Sequence, residues 1–210
     1  MFALIKREVR DHIGFFISAF VLSGILVGFS ISVLYEYRYL GRVVEQMSAW
    51  IVTVSIVILG FFAMGSVQMY TDRTRKISAF ISTLPVSRSR ILLAKLIAGI
   101  LAILTLLLPL LIATIILLRL LSPPIPLFGR VIVEVFIGLF LTAFACYCIG
   151  LQTGSKSGKP GAALSGLVLT LILISLIFVK GFDAPLVVLL VLFIIASLIR
   201  IWLTFTTMSL

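Results

Sequence analysis

The chain has 210 residues, 62% of them hydrophobic and 11% charged, with a net charge of +10 at pH 7. So much apolar side chain excludes an ordinary soluble domain and is the composition of an integral membrane protein. The excess of Lys and Arg does not indicate a nucleic-acid partner, because these residues sit at the ends of apolar runs and form no patch on a soluble domain. Charge bias across a membrane accounts for them.

Residues 1–13, MFALIKREVRDHI, predict an interfacial helix. Phe2, Leu4, Ile5 and Val9 form an apolar side, and Lys6, Arg7, Glu8, Arg10 and Asp11 a charged side. Arg7 and Asp11 are four apart and can pair on that face. Such a helix lies on the headgroups of the cytoplasmic leaflet, although a plain positively charged anchor would read the same way. His12, the one histidine, is read as an interfacial polar group. The basic cluster leads into a full-length apolar run without an A-x-A-like cleavage site, so the first span is expected to stay in the mature protein.

Residues 14–210 then predict an all-α, six-span transmembrane domain, with spans at about 14–34, 48–69, 91–118, 131–152, 161–179 and 186–206. In the first span, Gly24 and Gly28 make a G-x-x-x-G pair that would let another helix approach closely. Between the first two spans, Tyr35, Tyr37 and Tyr39 read either as an interfacial aromatic belt or as the lining of an exit. Pro109 falls inside the third span and predicts a kink. Residues 119–130 hold three prolines, Pro123, Pro124 and Pro126, and read as a short stiff loop outside the membrane.

Glu134 lies one turn inside the fourth span, four residues after Arg130. It is either a functional carboxylate or one half of an external-side polar pair with Arg130 or Arg119. Cys146 and Cys148 are two apart on a predicted helix, point to different faces and read as small packing residues rather than a disulfide or metal site. The run Gly154 to Lys159 imitates a phosphate loop, but it has three residues between its glycines where that motif has four, and Pro160 stands where Ser or Thr should. Residues 153–160 are read instead as a basic turn, and Gly161 and Gly166 as small packing positions of the fifth span.

The longest polar break runs from Thr71 to Lys95, TDRTRKISAFISTLPVSRSRILLAK. Six of its seven charges are basic, which assigns it to the cytoplasm. Ile77, Phe80, Ile81 and Leu84 follow helical spacing and make one apolar stripe. Pro85 ends that segment, and Ser87 is placed to cap a helix starting near Arg88. Physically, the segment is either a docking helix or a connector lying on lipid headgroups.

Leu84-Pro85-Val86-Ser87-Arg88, followed by Ile91-Leu92-Leu93-Ala94-Lys95, resembles the cytoplasmic loop of ABC-2 type transporter permeases. In that family a short coupling helix precedes the "LPVSR" string and sits in a groove of the ATP-binding subunit. The resemblance implies a coupling helix over about 75–84, with Arg75, Lys76, Ile77, Phe80, Ile81, Leu84, Pro85 and Arg88 meeting the ATPase. Lys76-Ile77-Ser78-Ala79 stands where the family often has glycine and an acid. The same resemblance makes residues 1–13 an elbow helix, with Lys6, Arg7, Glu8 and Arg10 at its charged positions.

Twelve of the seventeen basic residues fall on the proposed inside; Arg38, Arg42, Arg119, Arg130 and Lys180 fall outside. This predicts a multi-pass protein of the cell membrane with both termini cytoplasmic. Few ionisable residues lie deep in a span, so an ion relay is hard to build, and the chain has no nucleotide motif. The resemblance implies the permease subunit of an ATP-driven exporter, and the apolar spans suggest a lipophilic or amphipathic cargo such as a lipid, peptide or drug. It also implies as partners a second permease copy and two ATP-binding subunits that carry ATP and Mg, beside membrane lipid. The chain itself is expected to bind no cofactor and catalyse no reaction. The alternative from another class is a membrane scaffold that recruits a cytoplasmic protein through the same loop. An intramembrane enzyme lacks a constellation, with one His, no clustered acids and no Ser or Cys near a base.

Overall fold

The computed structural model describes residues 2–40, 44–74, 88–121, 126–155 and 160–207, with side chains over 4–32, 52–71, 89–117, 119, 132–155 and 161–204. Among the described residues every element is a helix: α1 (Phe2–Asp11), α2 (Ile13–Leu40), α3 (Val44–Thr74), α4 (Arg88–Leu121), α5 (Pro126–Ser155), α6 (Pro160–Lys180) and α7 (Ala184–Thr207). Helices α2 to α7 are each long and apolar enough to cross a membrane, as in a multi-pass membrane protein. Helix is the form such runs adopt because it satisfies every backbone donor and acceptor within the segment.

The helices reach further than the apolar runs. With 34 residues, α4 is about 50 Å long at 1.5 Å per residue, well beyond a hydrocarbon core of roughly 30 Å. The connection after the first span is correspondingly shorter than the polar stretch, since α2 continues to Leu40 and α3 restarts at Val44. After the third span, α5 starts at Pro126, the position where a ring without an N–H is tolerated. Pro109 is carried inside α4 without ending it. The basic turn after the fourth span also shrinks, because Thr153, Gly154 and Ser155 are the last residues of α5.

Helix α5 is the hub. Thr142, Ala145, Cys146, Tyr147, Cys148 and Leu151 are all fully buried on it. Apolar side chains gain little by leaving lipid for one another, so close packing has to hold such a bundle together. Small residues supply it where α3 meets α5, the most extensive helix pair. A methyl group on Gly150 would run into the Phe62 carbonyl, one on Gly154 into the Ser66 carbonyl, and one on Gly65 into the Tyr147 carbonyl. The Ser66 hydroxyl closes the seam, 2.9 Å from Thr153 Oγ1 and 3.2 Å from the Gly150 carbonyl.

Gly24 and Gly28 do not play that part within the chain, as a methyl group on either would meet nothing. Gly161 is equally open, whereas Gly166 packs on Thr153 and Phe62. The faces turned away from the bundle are apolar, including Ile17, Phe20, Val21 and Ile25 of α2, Leu164 and Ile172 of α6, and Leu192 and Leu203 of α7. In water such faces would aggregate; in a bilayer they meet acyl chains.

The turn between α6 and α7 is short. Gly181 adopts φ = 74°, and its N–H is donated to the Ile177 carbonyl at 2.8 Å. That left-handed conformation is open to glycine and costly for other residues, which is why α6 ends there. At the same end of the molecule the Phe182 ring covers Gly138 of α5.

Candidate functional site

Four helices converge where α3 ends, α4 begins and α5 nears its end. Gln68 lies six residues before the end of α3, Lys95 seven residues into α4 and Tyr147 eight residues before the end of α5. At 1.5 Å per residue, each is about 10 Å in from its helix terminus. From α1, Glu8 reaches the same point, and Gln68, Lys95 and Tyr147 have no solvent exposure at all.

The geometry of this cluster is specific. Lys95 donates from Nζ to Glu8 Oε1 at 3.2 Å and Oε2 at 3.4 Å, and to the Gln68 carbonyl at 3.5 Å. His12 Nε2 stands 3.7 Å from Glu8 Oε2, and His12 is itself buried. The Tyr147 hydroxyl oxygen is 2.6 Å from Gln68 Oε1 and 2.8 Å from the Lys95 carbonyl. Gln68 Nε2 is buried and has no hydrogen-bond partner among the described residues.

A hydroxyl carries one proton and cannot donate fully to both neighbours. Turning the Gln68 amide over resolves the conflict. Its Nε2 then donates to the Tyr147 oxygen, and Tyr147 donates to the Lys95 carbonyl. What is left is an unpaired amide oxygen in place of an unpaired N–H. Gly99 makes room for the tyrosine, since any side chain there would collide with the Tyr147 ring. Phe140, Phe144 and Tyr147 continue the stack along α5, with centroids 6.2 Å apart at each step.

Three sequence-based expectations change here. Glu8 is not on the solvent side of α1: its carboxylate turns inward, while Lys6 and Arg10 stay exposed. Lys95 is not an interfacial charge at the mouth of a span, because its side chain is enclosed and paired. The reason is shared. A cation about two turns inside an apolar helix either extends to the headgroups or finds a carboxylate, and Glu8 supplies one. The expected Arg7–Asp11 pair is present at 3.5 Å. His12 is a buried neighbour of Glu8 rather than a headgroup contact.

The remaining candidates are distributed as follows. Arg75, Lys76, Ile77, Phe80, Ile81, Leu84 and Pro85 lie outside the described residues, as do Lys156 to Lys159. Arg88 is the first residue of α4, where the sequence placed a helix start. Arg130 and Glu134 share α5 four residues apart, with Glu134 exposed. Cys146 and Cys148 are free thiols buried in the hub. Gly154, which opened the phosphate-loop imitation, is helical and packed on α3. A second polar tie joins α5 to α7, where Gln152 Nε2 donates to the Ser197 hydroxyl and, at 3.2 Å, to its carbonyl.

Chemically, the four-helix cluster can hold helices in register. Comparison with protein families, curated proteins and solved structures finds no match for this chain.

Proposed function

We propose that this chain is the membrane subunit of an ATP-driven exporter of the ABC-2 type. Two copies side by side form the path, and two separate ATP-binding subunits, which hold ATP and Mg, dock on the cytoplasmic face. The observation that carries this reading is the stretch Thr71 to Lys95, a basic, helix-patterned segment with the LPVSR string between two apolar runs. The fold supports it in one respect. The end of α3 and the start of α4, which flank residues 75–87, lie at the same end of the bundle as α1.

In this reading residues 75–84 form the coupling helix and α1 is the elbow helix on the inner leaflet. Both termini are cytoplasmic, and the membrane is the cell membrane. ATP-driven closure of the ATPase pair moves the coupling helices and shifts the bundle between two states. The cargo is lipophilic or amphipathic.

The test is affinity purification of the full chain from membranes with identification of what accompanies it. An ATPase carrying a G-x-x-x-x-G-K-[ST] loop is the expected partner. Phe80→Asp is expected to abolish its recovery and transport in vesicles while the spans remain inserted. A partner without ATPase activity would favour the scaffold reading.

A further inference from the structure

Lys95 occupies an unusual position in this bundle. Its ammonium faces Glu8 of α1 and the Gln68 carbonyl of α3, and its own carbonyl accepts from Tyr147 of α5. One residue of α4 therefore touches three other helices. Two of the four, α3 and α4, are the helices joined by residues 75–87. A turn at His12 sets α1 off from α2, and α1 packs against α4 more than against α2.

We infer that Glu8 and Lys95 are positioning residues, which clamp the end of α3 to the start of α4 through the docking of α1. The physical basis is the asymmetry of buried ion pairs. Removing one partner leaves a desolvated charge, whereas removing both leaves an apolar contact that is tolerated. With Glu8 neutral, the carboxylate facing the Lys95 ammonium is lost. The ammonium then draws the first turns of α4 toward water and away from Gln68. With Glu8 in place, α3 and α4 move as one body. The functional consequence rests on the exporter reading. A push delivered between α3 and α4 reaches the hub helix α5 only if those two helix ends do not slide past each other.

The structural arm uses the full chain in lipid nanodiscs without any partner. Spin labels are placed at Tyr70→Cys on α3 and Arg90→Cys on α4, both exposed positions. The native thiols are buried and do not compete for a polar reagent. The distance distribution is expected to be single and narrow in the parent. It broadens or gains a second population with Glu8→Gln, and narrows again in Glu8→Gln/Lys95→Met. An unchanged distribution with Glu8→Gln overturns the inference, whether or not an ATPase is found. Should Glu8→Gln fail to fold, Lys95→Met against the same double variant asks the same question.

The functional arm uses the chain with its recovered partner. Glu8→Gln is expected to lower transport per ATP hydrolysed by about tenfold, the scale of an ordinary coupling free energy. Hydrolysis itself should remain within about twofold, and the double variant should recover most of the loss. A purely structural role would reduce the amount of folded complex and leave that ratio unchanged, which also overturns the inference. If no ATP-hydrolysing partner is recovered, the exporter reading falls, and the distance measurement alone decides the clamp.

Discussion

At the residue scale, the polar side chains that matter most are those the bundle encloses. Tyr147 is fully buried, and its hydroxyl meets the Gln68 side-chain amide and the Lys95 carbonyl, both within 2.8 Å. Tyr147→Phe preserves the ring that fills the space over Gly99 and deletes only the hydroxyl. It is expected to destabilise the folded chain by about 1–3 kcal/mol, because a buried carbonyl or amide loses its partner. Denaturant titration of the purified protein in detergent would measure this, and a neutral result would mean that a water replaces the hydroxyl. Cys146 and Cys148 lead to a second expectation. A polar maleimide should leave both unmodified in the folded protein and label both after denaturation, read as a mass shift. Labelling of the native form would contradict their burial.

Residue by residue, what was legible in the sequence depended on the range of the interaction. The Arg7–Asp11 pair, a spacing of four on one helix, was evident from the chain alone. The Glu8–Lys95 pair was not, because its partners are 87 residues apart and each looks locally like a headgroup charge. Treating Lys95 as one more inner-face cation was reasonable by composition. No periodicity indicates that a carboxylate from α1 turns toward it. A weak signal did exist, since Lys95 follows four apolar residues and is followed by Leu96 and Ile97, too deep for a residue at the lipid boundary.

At the scale of elements, the apolar runs located all six long helices, because length and composition suffice for that. Boundaries were less legible. Several helices carry on through polar residues well past the apolar run, since a helix protruding into water keeps its internal hydrogen bonds. The glycines that pack within the chain were hard to pick out for a related reason. Gly24 and Gly28 have the spacing of a contact motif but face outward, while Gly150-Leu151-Gln152-Thr153-Gly154 has the same spacing and forms the seam with α3. The latter was obscured because its second glycine runs into Ser155-Lys156-Ser157-Gly158, which reads as a turn. Gly150→Ala is expected to destabilise the bundle by about 1–3 kcal/mol, because backbone of α3 rather than a flexible side chain stands in the way. Gly28→Ala should be neutral, or stabilising by up to about 1 kcal/mol through helix propensity. Comparing the two by thermal aggregation in one detergent tests the assignment; equal losses would mean that α2 also packs through its glycines.

At the scale of the whole molecule, alternation of the spans puts the ends of the chain and the α3–α4 connection on one side. Cysteines introduced at Arg10 and Arg90 should therefore react together from one face of sealed membranes, and one at Asp183 from the other. With the proposed orientation, a membrane-impermeant reagent added to intact cells labels Asp183→Cys alone. Labelling of Arg90→Cys under the same conditions would reverse the orientation and remove the basis for a cytoplasmic coupling segment. Apart from Arg88, the site residues the sequence put forward for that segment, Phe80 among them, lie outside the described residues, so the biochemical experiment on Phe80 bears directly on them.

The enclosed lysine also constrains how the protein is made. Glu8 leaves the ribosome long before Lys95, and two full spans are threaded into the bilayer in between. During that interval the Glu8 carboxylate is without its Lys95 partner. The third span brings an ammonium that is costly to leave alone in hydrocarbon. A chain without α1 would therefore lack the carboxylate that faces Lys95, and is expected to yield less folded protein than the full chain.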